Sequence, residues 1–313
     1  MESLQKIQTR LKSVRNISQI TKAMEVVAAT KMRRSQEIAL ASRAYTFGAL
    51  DVLGALARLD EVPLPPLLVE RPIERRAFVV VTSDKGLAGA FNGSVLRAFT
   101  RFVAEHGVDL RDERNVFVAV GQKAAAFLER STHGLAAAYV RVGDYTTPAE
   151  VASLSTFLID GYLEGRWDEV LVFSTHFKSA LSQKVIVGRV LPVTYEHLVS
   201  LAREIVPEHG RFADVEVGAA AAGAAQHVEY LIEPSPEEVL DALSRHLVSM
   251  ELYHTILEAN ASEHAARRTA MKSASDNADE LSDTLTVAYN KSRQASVTNQ
   301  IIEIAAGAES LQR

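Results

Sequence analysis

The residues best placed to do chemistry lie in one glycine-containing loop, Ser83–Gly89, which reads SDKGLAG. The loop follows a short apolar run and precedes a predicted helix, the position at which a Rossmann fold binds phosphate at a helix N-terminus. Its spacing, Gly-x-x-Gly, fits neither the three-glycine dinucleotide pattern nor a Gly-Lys-Ser/Thr phosphate loop. The spacing therefore favours a structural turn, whose glycines allow positive φ, over a nucleotide site.

Other side chains that could act in catalysis or bind a metal are scattered along the chain. Three histidines lie among predicted strands and loops without ligand spacing: His133, His176 and His197. Asp84 near Lys85, and His176 near Lys178, could act as acid–base pairs, but ordinary surface charges explain them better. No Gly-x-Ser-x-Gly elbow is present, and cysteine is absent, which excludes thiolate chemistry. We therefore assign no catalytic, cofactor or metal site.

Composition narrows the class of protein. The chain has 313 residues and a net charge of −5, which argues against a general nucleic-acid binder. Apolar residues make up 47% and aromatic residues only 6%, and the abundance of alanine favours long helices. The sequence has no apolar run of about 18 residues, so we expect no membrane span. The basic, amphipathic N-terminus lacks the apolar core of a signal peptide; a transit peptide fits it less well, because the helical pattern continues.

A long helix is predicted at each end of the chain. The first is predicted over about residues 3–57, roughly 80 Å, because it lacks internal glycine and proline up to Gly48. The second begins with a capping box and an early proline at Ser235–Glu238 and runs for about 72 residues, roughly 108 Å. The first predicted apolar face is Leu4, Ile7, Leu11, Val14, Ile17, Ile20, Met24 and Val27. The second is Leu240, Leu243, Leu247, Met250, Leu257, Leu281, Leu285, Ala288, Val297, Ile301, Ile304 and Ala308.

These two helices, which we call the axle, must run antiparallel if they pair, because one enters the intervening domain and the other leaves it. The second is longer by roughly 25 Å, so its tip should project alone and need a surrounding partner. Residues 1–43 contain nine Lys or Arg and three Glu, a charge of +6 on an otherwise acidic chain. That charge favours an acidic partner surface, although a solvated coiled-coil face is the simpler interpretation of charge alone.

An open, mainly parallel α/β sheet is predicted between the helices, because strands alternate with helices. The predicted strands are 77–81, 116–120, 136–142, 170–173 and 185–193, and the predicted helices are about 92–106, 121–131 and 148–164. Prolines at 63–72 mark one linker, and a second, 207–227, contains the run GAAAAGAA. The predicted domains are an N-terminal coiled-coil helix (1–58), an α/β domain that we call the foot (73–206), a linker with a foot segment (207–234) and a C-terminal coiled-coil helix (235–313).

Several segments, in order along nearly the whole chain, resemble one family. Residues 20–34, ITKAMEVVAATKMRR, are similar to the N-terminal helix of the gamma subunits of rotary F-type ATP synthases. The segments SEHAAR (262–267), YNKSRQASVT (289–298) and EIAAGA (303–308) resemble that family's C-terminal signatures. Residues 82–92 resemble its loop after the first strand, and YLIEP (230–234) resembles its foot segment. Two departures are Ala88, where many members have cysteine, and Gln300, where glutamate is frequent.

The resemblance implies a non-catalytic rotor shaft that couples proton flow through a membrane c ring to ATP synthesis or hydrolysis at the beta subunits. It implies that the axle turns inside a ring of three alpha and three beta subunits. The foot would bind the epsilon subunit and the c ring. The complex would lie at the cytoplasmic face of a bacterial inner membrane, with the mitochondrial matrix side as a less favoured alternative. It implies no cofactor.

The resemblance also implies which residues contact partners. Along the axle these are Met24, Lys31, Arg33, Arg34, Arg293, Gln294 and Thr298, and in the foot they are Tyr230 and Glu233. At 100° per residue, Lys31 lies within about 20° of the Met24 face, so its stem should cover the seam between the helices while its amine reaches out. Arg33 should point away from the seam, and Arg34 should lie on the flank.

Two other classes of function remain open from the residues. One is a nucleotide-using α/β enzyme with coiled-coil arms, against which the missing phosphate motifs count. The other is a stand-alone coiled-coil scaffold, which would self-associate, whereas a shaft would pair its own two helices and require foreign subunits.

Overall fold

The computed structural model describes residues 4–41, 63–194 and 232–311. The first helix, α1, is Leu4–Ala41, and its predicted continuation to residue 57 lies outside the described residues, as does the predicted linker 207–227. The described chain divides into two compact units, Met1–Ala28 with Arg267–Arg313, and Ala29–Ala266. The predicted domain boundaries stay predictions.

The second unit contains a five-stranded sheet with helices on both faces. In chain order its elements are a short 3-10 helix Pro66–Leu68, β1 Arg76–Val81, α2 Phe91–Glu105, β2 Asn115–Val120, α3 Gln122–Ser131, β3 Ala137–Tyr139, α4 Pro148–Leu163, β4 Glu169–Phe177 and β5 Gln183–Leu191. The last helix, α5, is Pro236–Leu311. All five predicted strands and the three predicted helices between them are confirmed, although β3 is shorter than predicted.

The sheet order is β3-β2-β1-β4-β5, with β5 antiparallel to β4 and the other neighbours parallel. The predicted open, mainly parallel sheet is therefore confirmed. Successive residues of β1 face opposite sides, so Phe78 and Val80 join one core while Val79 and Val81 join the other. The first core packs under α2 and α3, and the second packs under α4 and the beginning of α5.

The beginning of α5 is a core helix of the α/β domain. Leu252, Ile256 and Leu257 are at most 3% exposed and belong to the same cluster as the strand residues Val79 and Val172. The sequence predicts α5 as a one-sided coiled-coil helix throughout. The structure instead shows that its first part is buried on several sides.

In the first unit, α1 and the end of α5 form an antiparallel pair. Ile7, Leu11 and Val14 pack with Ala278 and Leu285. The Nε of Arg15 donates to the Oγ of Ser282 over 3.4 Å, and the Oγ of Ser18 donates to the Oδ1 of Asp279 over 2.6 Å. As the residue number rises by three on one helix, the partner number falls by three on the other, which confirms the predicted antiparallel pairing.

The predicted apolar faces are partly wrong. Ile17, Ile20 and Val27 are 51%, 59% and 53% exposed, and on α5 Leu281 and Ala288 are exposed as well. The buried positions of α1 are instead 7, 11, 14, 18, 21, 28, 32 and 35, which is heptad spacing. Small hydroxyl residues occupy part of this seam on both helices: Ser18, Thr21, Ser275 and Ser282. A prediction that looks only for apolar residues misses these polar positions and selects the adjacent Ile17, Ile20 and Leu281 instead.

One half-buried carboxylate, that of Asp168, should make the stability of the foot sensitive to acid. Burial raises the pKa of Asp168, but the backbone N–H groups of Glu74 and Arg75 and the Arg71 guanidinium outweigh it and hold the pKa below 3.8. Its stabilising contribution is therefore complete above the unfolded-state pKa and is lost as pH falls through the lowered folded-state pKa. We expect the free energy of unfolding to drop more steeply below about pH 4 in the unaltered chain than in Asp168→Asn. Denaturant titrations across pH check this, with the exposed Asp276→Asn as control.

Candidate functional site

The loop after β1 caps a neighbouring helix. It accepts hydrogen bonds from the first three backbone N–H groups of α3, which have no partner within that helix. Asp84 Oδ1 accepts from Gln122 N (2.9 Å), Ser83 O from Lys123 N (3.2 Å) and Thr82 Oγ1 from Ala124 N (2.7 Å). The backbone of Gly89 has a φ of 55°, as the interpretation as a turn predicts. These contacts and the φ of Gly89 support the interpretation of the loop as a structural turn.

Removing the cap should destabilise the foot without altering any binding. We expect Asp84→Ala to lower the free energy of unfolding by about 1 kcal/mol, the usual cost of losing a capping side chain. Urea titration of the full chain measures it. Lys85→Ala is the control, because this exposed neighbour gives α3 no cap. A change below about 0.3 kcal/mol in Asp84→Ala would contradict the capping role.

The described histidines can be compared with the arrangement that a metal site needs. Within residues 4–41, 63–194 and 232–311, no three His, Asp or Glu residues are grouped as metal ligands would be. His133 lies against Phe117, and His176 Nδ1 lies 2.7 Å from Glu258 Oε2. His197 lies outside the described residues.

The basic residues of α1 divide into two groups. The side chains of Arg33 and Arg34 are 68% and 61% exposed, and both reach Glu37 on the same helix, at 3.3 Å and 3.4 Å. The predicted outward direction of Arg33 is confirmed. The Nζ of Lys31, predicted to reach outward, instead lies 2.5 Å from the carboxylate of Asp144 in the α/β domain. Met24 is half-buried.

Beyond the helix pair, residues 293–306 of α5 are exposed on every side. Each side chain from Arg293 to Ala306 is exposed in the described chain, including Gln294 and Thr298. The hydroxyl of Thr298 donates to the carbonyl of Gln294 over 2.9 Å, an ordinary contact within a helix. Four large apolar side chains in this tip are 48–73% exposed: Val297, Ile301, Ile302 and Ile304. Such apolar surface on an unsupported helix indicates a partner.

The two predicted foot contacts lie in or beside the undescribed segment. Glu233 is exposed, and Tyr230 lies outside the described residues.

Comparison with known proteins matches nearly the whole chain. A family model described as ATP synthase matches residues 3–311. The ATP synthase gamma chain of Roseiflexus castenholzii is 39% identical over 99% of both chains, and that of Geotalea daltonii is 37% identical, again over 99% of both.

The chain belongs to the ATP synthase gamma chain family. Among solved structures, it is similar to a chain in the Tetrahymena thermophila mitochondrial ATP synthase central stalk and c ring, with a TM-score of 0.56, 22% identity and coverage of 82% and 99%. It is also similar to a chain of the Euglena gracilis mitochondrial ATP synthase rotor, with a TM-score of 0.58, 18% identity and coverage of 94% and 98%. At these identities the likeness shows the fold. None of the described helices is long and apolar enough to cross a membrane.

Sequence reasoning missed the residue on which several contacts of this gamma-chain foot converge. Asp144 lies between β3 and α4, and its carboxylate lies within 4 Å of both Lys31 and His264. Burial raises the pKa of Asp144, but Lys31, His264 and Lys85 together outweigh burial and hold the pKa below its ordinary value. The local sequence around Asp144 shows only the run Gly143–Thr147, which ends in a capping box. This run predicts a loop, but it does not indicate which residues contact the loop.

A crosslink between the paired helices should form within one chain. We expect Ser18→Cys with Asp279→Cys to give an intramolecular disulfide, because the native side chains meet at 2.6 Å and the chain has no other cysteine. ATP hydrolysis by the assembled enzyme should persist, because helices that turn together lose nothing when joined. Non-reducing electrophoresis measures the product, with Lys22→Cys and Asp279→Cys as the exposed control pair. Crosslinks found only between chains would contradict the pairing.

Proposed function

We propose that this chain is the central shaft of a proton-driven F-type ATP synthase, coupling ion flow through the membrane c ring to ATP synthesis or hydrolysis at the beta subunits. The single observation that carries this is membership of the gamma-chain family along residues 3–311. The antiparallel helix pair and the exposed tip of α5 support it physically. The shaft is a non-catalytic subunit.

Its partners are three alpha and three beta subunits around the axle, the epsilon subunit at the foot, and the c ring. The names of the similar structures, central stalk with c ring and rotor, support this assignment. The exposed apolar side chains of the α5 tip are suited to an enclosing sleeve of other subunits, since an isolated helix of this length is marginal in water.

The mechanism follows from an asymmetric surface. A shaft can bias a beta subunit only by contacting its alternative conformations differently. The two helices present different side chains around their circumference, so rotation brings a different contact to each beta subunit in turn. Met24, Lys31, Arg33, Arg34, Arg293, Gln294 and Thr298 are the proposed axle contacts.

Tyr230 and Glu233 are the proposed contacts of the foot with the c ring. Changing both to alanine should loosen the coupling of proton flow to synthesis while soluble ATP hydrolysis persists. A fall in both activities would instead indicate that Tyr230 stabilises the fold.

The chain is a peripheral, membrane-associated subunit. We place it at the cytoplasmic face of a bacterial inner membrane, because the relatives from Roseiflexus castenholzii and Geotalea daltonii are bacterial. The mitochondrial matrix side is the alternative. Fractionation of native membranes, with mass spectrometry of co-purifying subunits, tests the location and the partners together.

Reconstitution tests the function directly. The purified chain alone should hydrolyse no ATP, and its addition to alpha and beta subunits should confer cooperative turnover. Persistent stoichiometric hydrolysis by the isolated chain, with tight ATP or NAD binding in a fluorescence titration, would favour the enzyme alternative. A self-associating chain that confers no turnover on alpha and beta subunits would favour the scaffold.

A further inference from the structure

The loop between β3 and α4, residues 140–147, is held in a defined shape at the carboxyl edge of the sheet. The hydroxyl of Thr146, which is 1% exposed, donates to the carbonyl of Gly143 over 3.0 Å. Thr147 and Glu150 form a capping box that fixes the start of α4. The loop therefore has a fixed conformation that other elements of the same compact unit can contact.

One turn of α1 binds this loop. The Nζ of Lys31 lies 2.5 Å from Asp144 Oδ2, and the hydroxyl of Ser35 donates to the Asp144 carbonyl over 3.5 Å. Ser35 is fully buried, and the side chain of Lys31 is 29% exposed. Residues four apart lie on one face of a helix, so both contacts hold α1 in the same orientation.

One turn of α5 binds the same loop in the same way. Asn260 Nδ2 donates to Thr146 Oγ1 over 2.8 Å and to the Gly143 carbonyl over 3.3 Å. His264, which is 1% exposed, has its Nε2 3.6 Å from Asp144 Oδ1. The two oxygens of the Asp144 carboxylate therefore face the two long helices, one oxygen to each.

The two helices differ in what else attaches them to the foot. The start of α5 has the apolar burial described above, and two further polar ties to β4: Glu258 with His176 at 2.7 Å, and Ser262 with the Thr175 carbonyl at 3.4 Å. In the described part of α1, the partly buried Ile38 packs against the same core. Within the described residues, the Asp144 loop is a polar attachment that α1 shares with α5.

We propose that Asp144 is the joint that fixes both axle helices to the foot, so that torque applied to the foot enters α1 as well as α5. Resting on the proposed shaft function, this makes Asp144 a positioning residue for rotary coupling rather than a subunit contact. A shaft driven through α5 alone would twist more easily, because α1 could slip on the foot.

The test uses Asp144→Ala in the assembled enzyme, with Glu164→Ala as matched control. Glu164 forms an exposed ion pair with Arg166 at 2.8 Å, and neither residue lies on α1 or α5. We expect Asp144→Ala to lower the torsional stiffness of the shaft in single-molecule rotation, and to lower ATP-driven proton pumping per ATP hydrolysed. Hydrolysis by the soluble complex should stay near that of the unaltered enzyme. Hydrogen exchange should accelerate about 5- to 30-fold at residues 29–38, which corresponds to about 1–2 kcal/mol.

A second variant keeps the test decisive if Asp144→Ala assembles poorly. Lys31→Cys with Asp144→Cys can be joined by a short thiol reagent that a reductant cleaves, since the chain has no native cysteine. Stiffness and coupling should be high while the linker is intact and fall when it is cut, within one preparation. Unchanged stiffness and coupling in both variants would overturn the joint. Failure of the unaltered chain to confer turnover on alpha and beta subunits would instead overturn the shaft function.

Discussion

Reversing Arg33 and Arg34 to glutamate should slow ATP turnover by the assembled enzyme, or loosen its coupling, by about five- to thirtyfold. Both guanidinium groups are exposed on α1, and the +6 charge of residues 1–43 favours an acidic partner surface. An exposed ion pair contributes about 0–1 kcal/mol, so either single substitution should be tolerated. The double reversal replaces two attractions by two repulsions, which costs about 1–2 kcal/mol of interaction free energy. This cost corresponds to the five- to thirtyfold effect.

The effect should be separable from damage to the helix itself. In the double variant both glutamates lie near Glu37, and like charges at this spacing destabilise a helix by only about 0.2–0.5 kcal/mol each. Partial relief is expected in about 1 M salt, where screening shortens to about 3 Å. Arg97→Glu with Arg101→Glu is the matched control, because it makes the same charge change on exposed positions of α2. Unchanged rate, torque and coupling in an assembled double variant would remove these arginines from the mechanism.

The foot was predictable from sequence because its signals are local. Each strand is a short apolar run, and β1 is fully buried after Arg76, so length and side-chain type identify it without tertiary information. The start of α4 was predictable for a similar reason, since Thr147, Pro148 and Glu150 form a capping box within four residues. These strands and this capping box depend on residues that are adjacent in the chain, so they can be recognised from the sequence alone.

The seam of the axle was harder to predict because its packing is not only apolar. Ser18 lies opposite Asp279, and Ser282 opposite Arg15, so short polar side chains occupy positions where large apolar ones were expected. Ile17 and Ile20 are as apolar as any seam residue, but each lies one position before a buried residue, Ser18 or Thr21. The heptad register, rather than hydrophobicity, distinguishes them.

The Asp144 joint could not be predicted because it is entirely non-local. Asp144 meets Lys31 across 113 positions and lies 120 positions before His264. No local pattern distinguishes this aspartate from any other polar residue of a loop. The same argument explains Lys31, whose observed partner Asp144 belongs to a distant part of the chain.

Replacing Phe99 by alanine should lower the free energy of unfolding of the chain by about 3–5 kcal/mol, the usual cost of removing a buried aromatic ring. Phe99 is fully buried on the face of the sheet away from α5. Its ring meets those of Phe173, Phe117 and Phe78 edge-on, with centroids 5.2, 6.3 and 6.2 Å away. Each edge-to-face pair adds about 0.5–1.5 kcal/mol beyond area burial, and a domain has only about 5–15 kcal/mol in total.

Because this aromatic cluster lies under α2 and α3, the substitution should weaken the foot while leaving the seam of the axle in place. Denaturant unfolding of the full chain, followed by circular dichroism, should therefore show an early loss of the α/β domain. Phe99→Leu, which keeps most of the volume, should lose less, and Leu181→Ala, at an 87% exposed position, should change stability by no more than about 0.5 kcal/mol. When the assembled enzyme is heated, Phe99→Ala should lose proton-coupled turnover at a lower temperature than soluble hydrolysis, since the foot receives the torque and the axle delivers it. An equal loss of both activities at the same temperature would show that the foot and the axle do not fail separately.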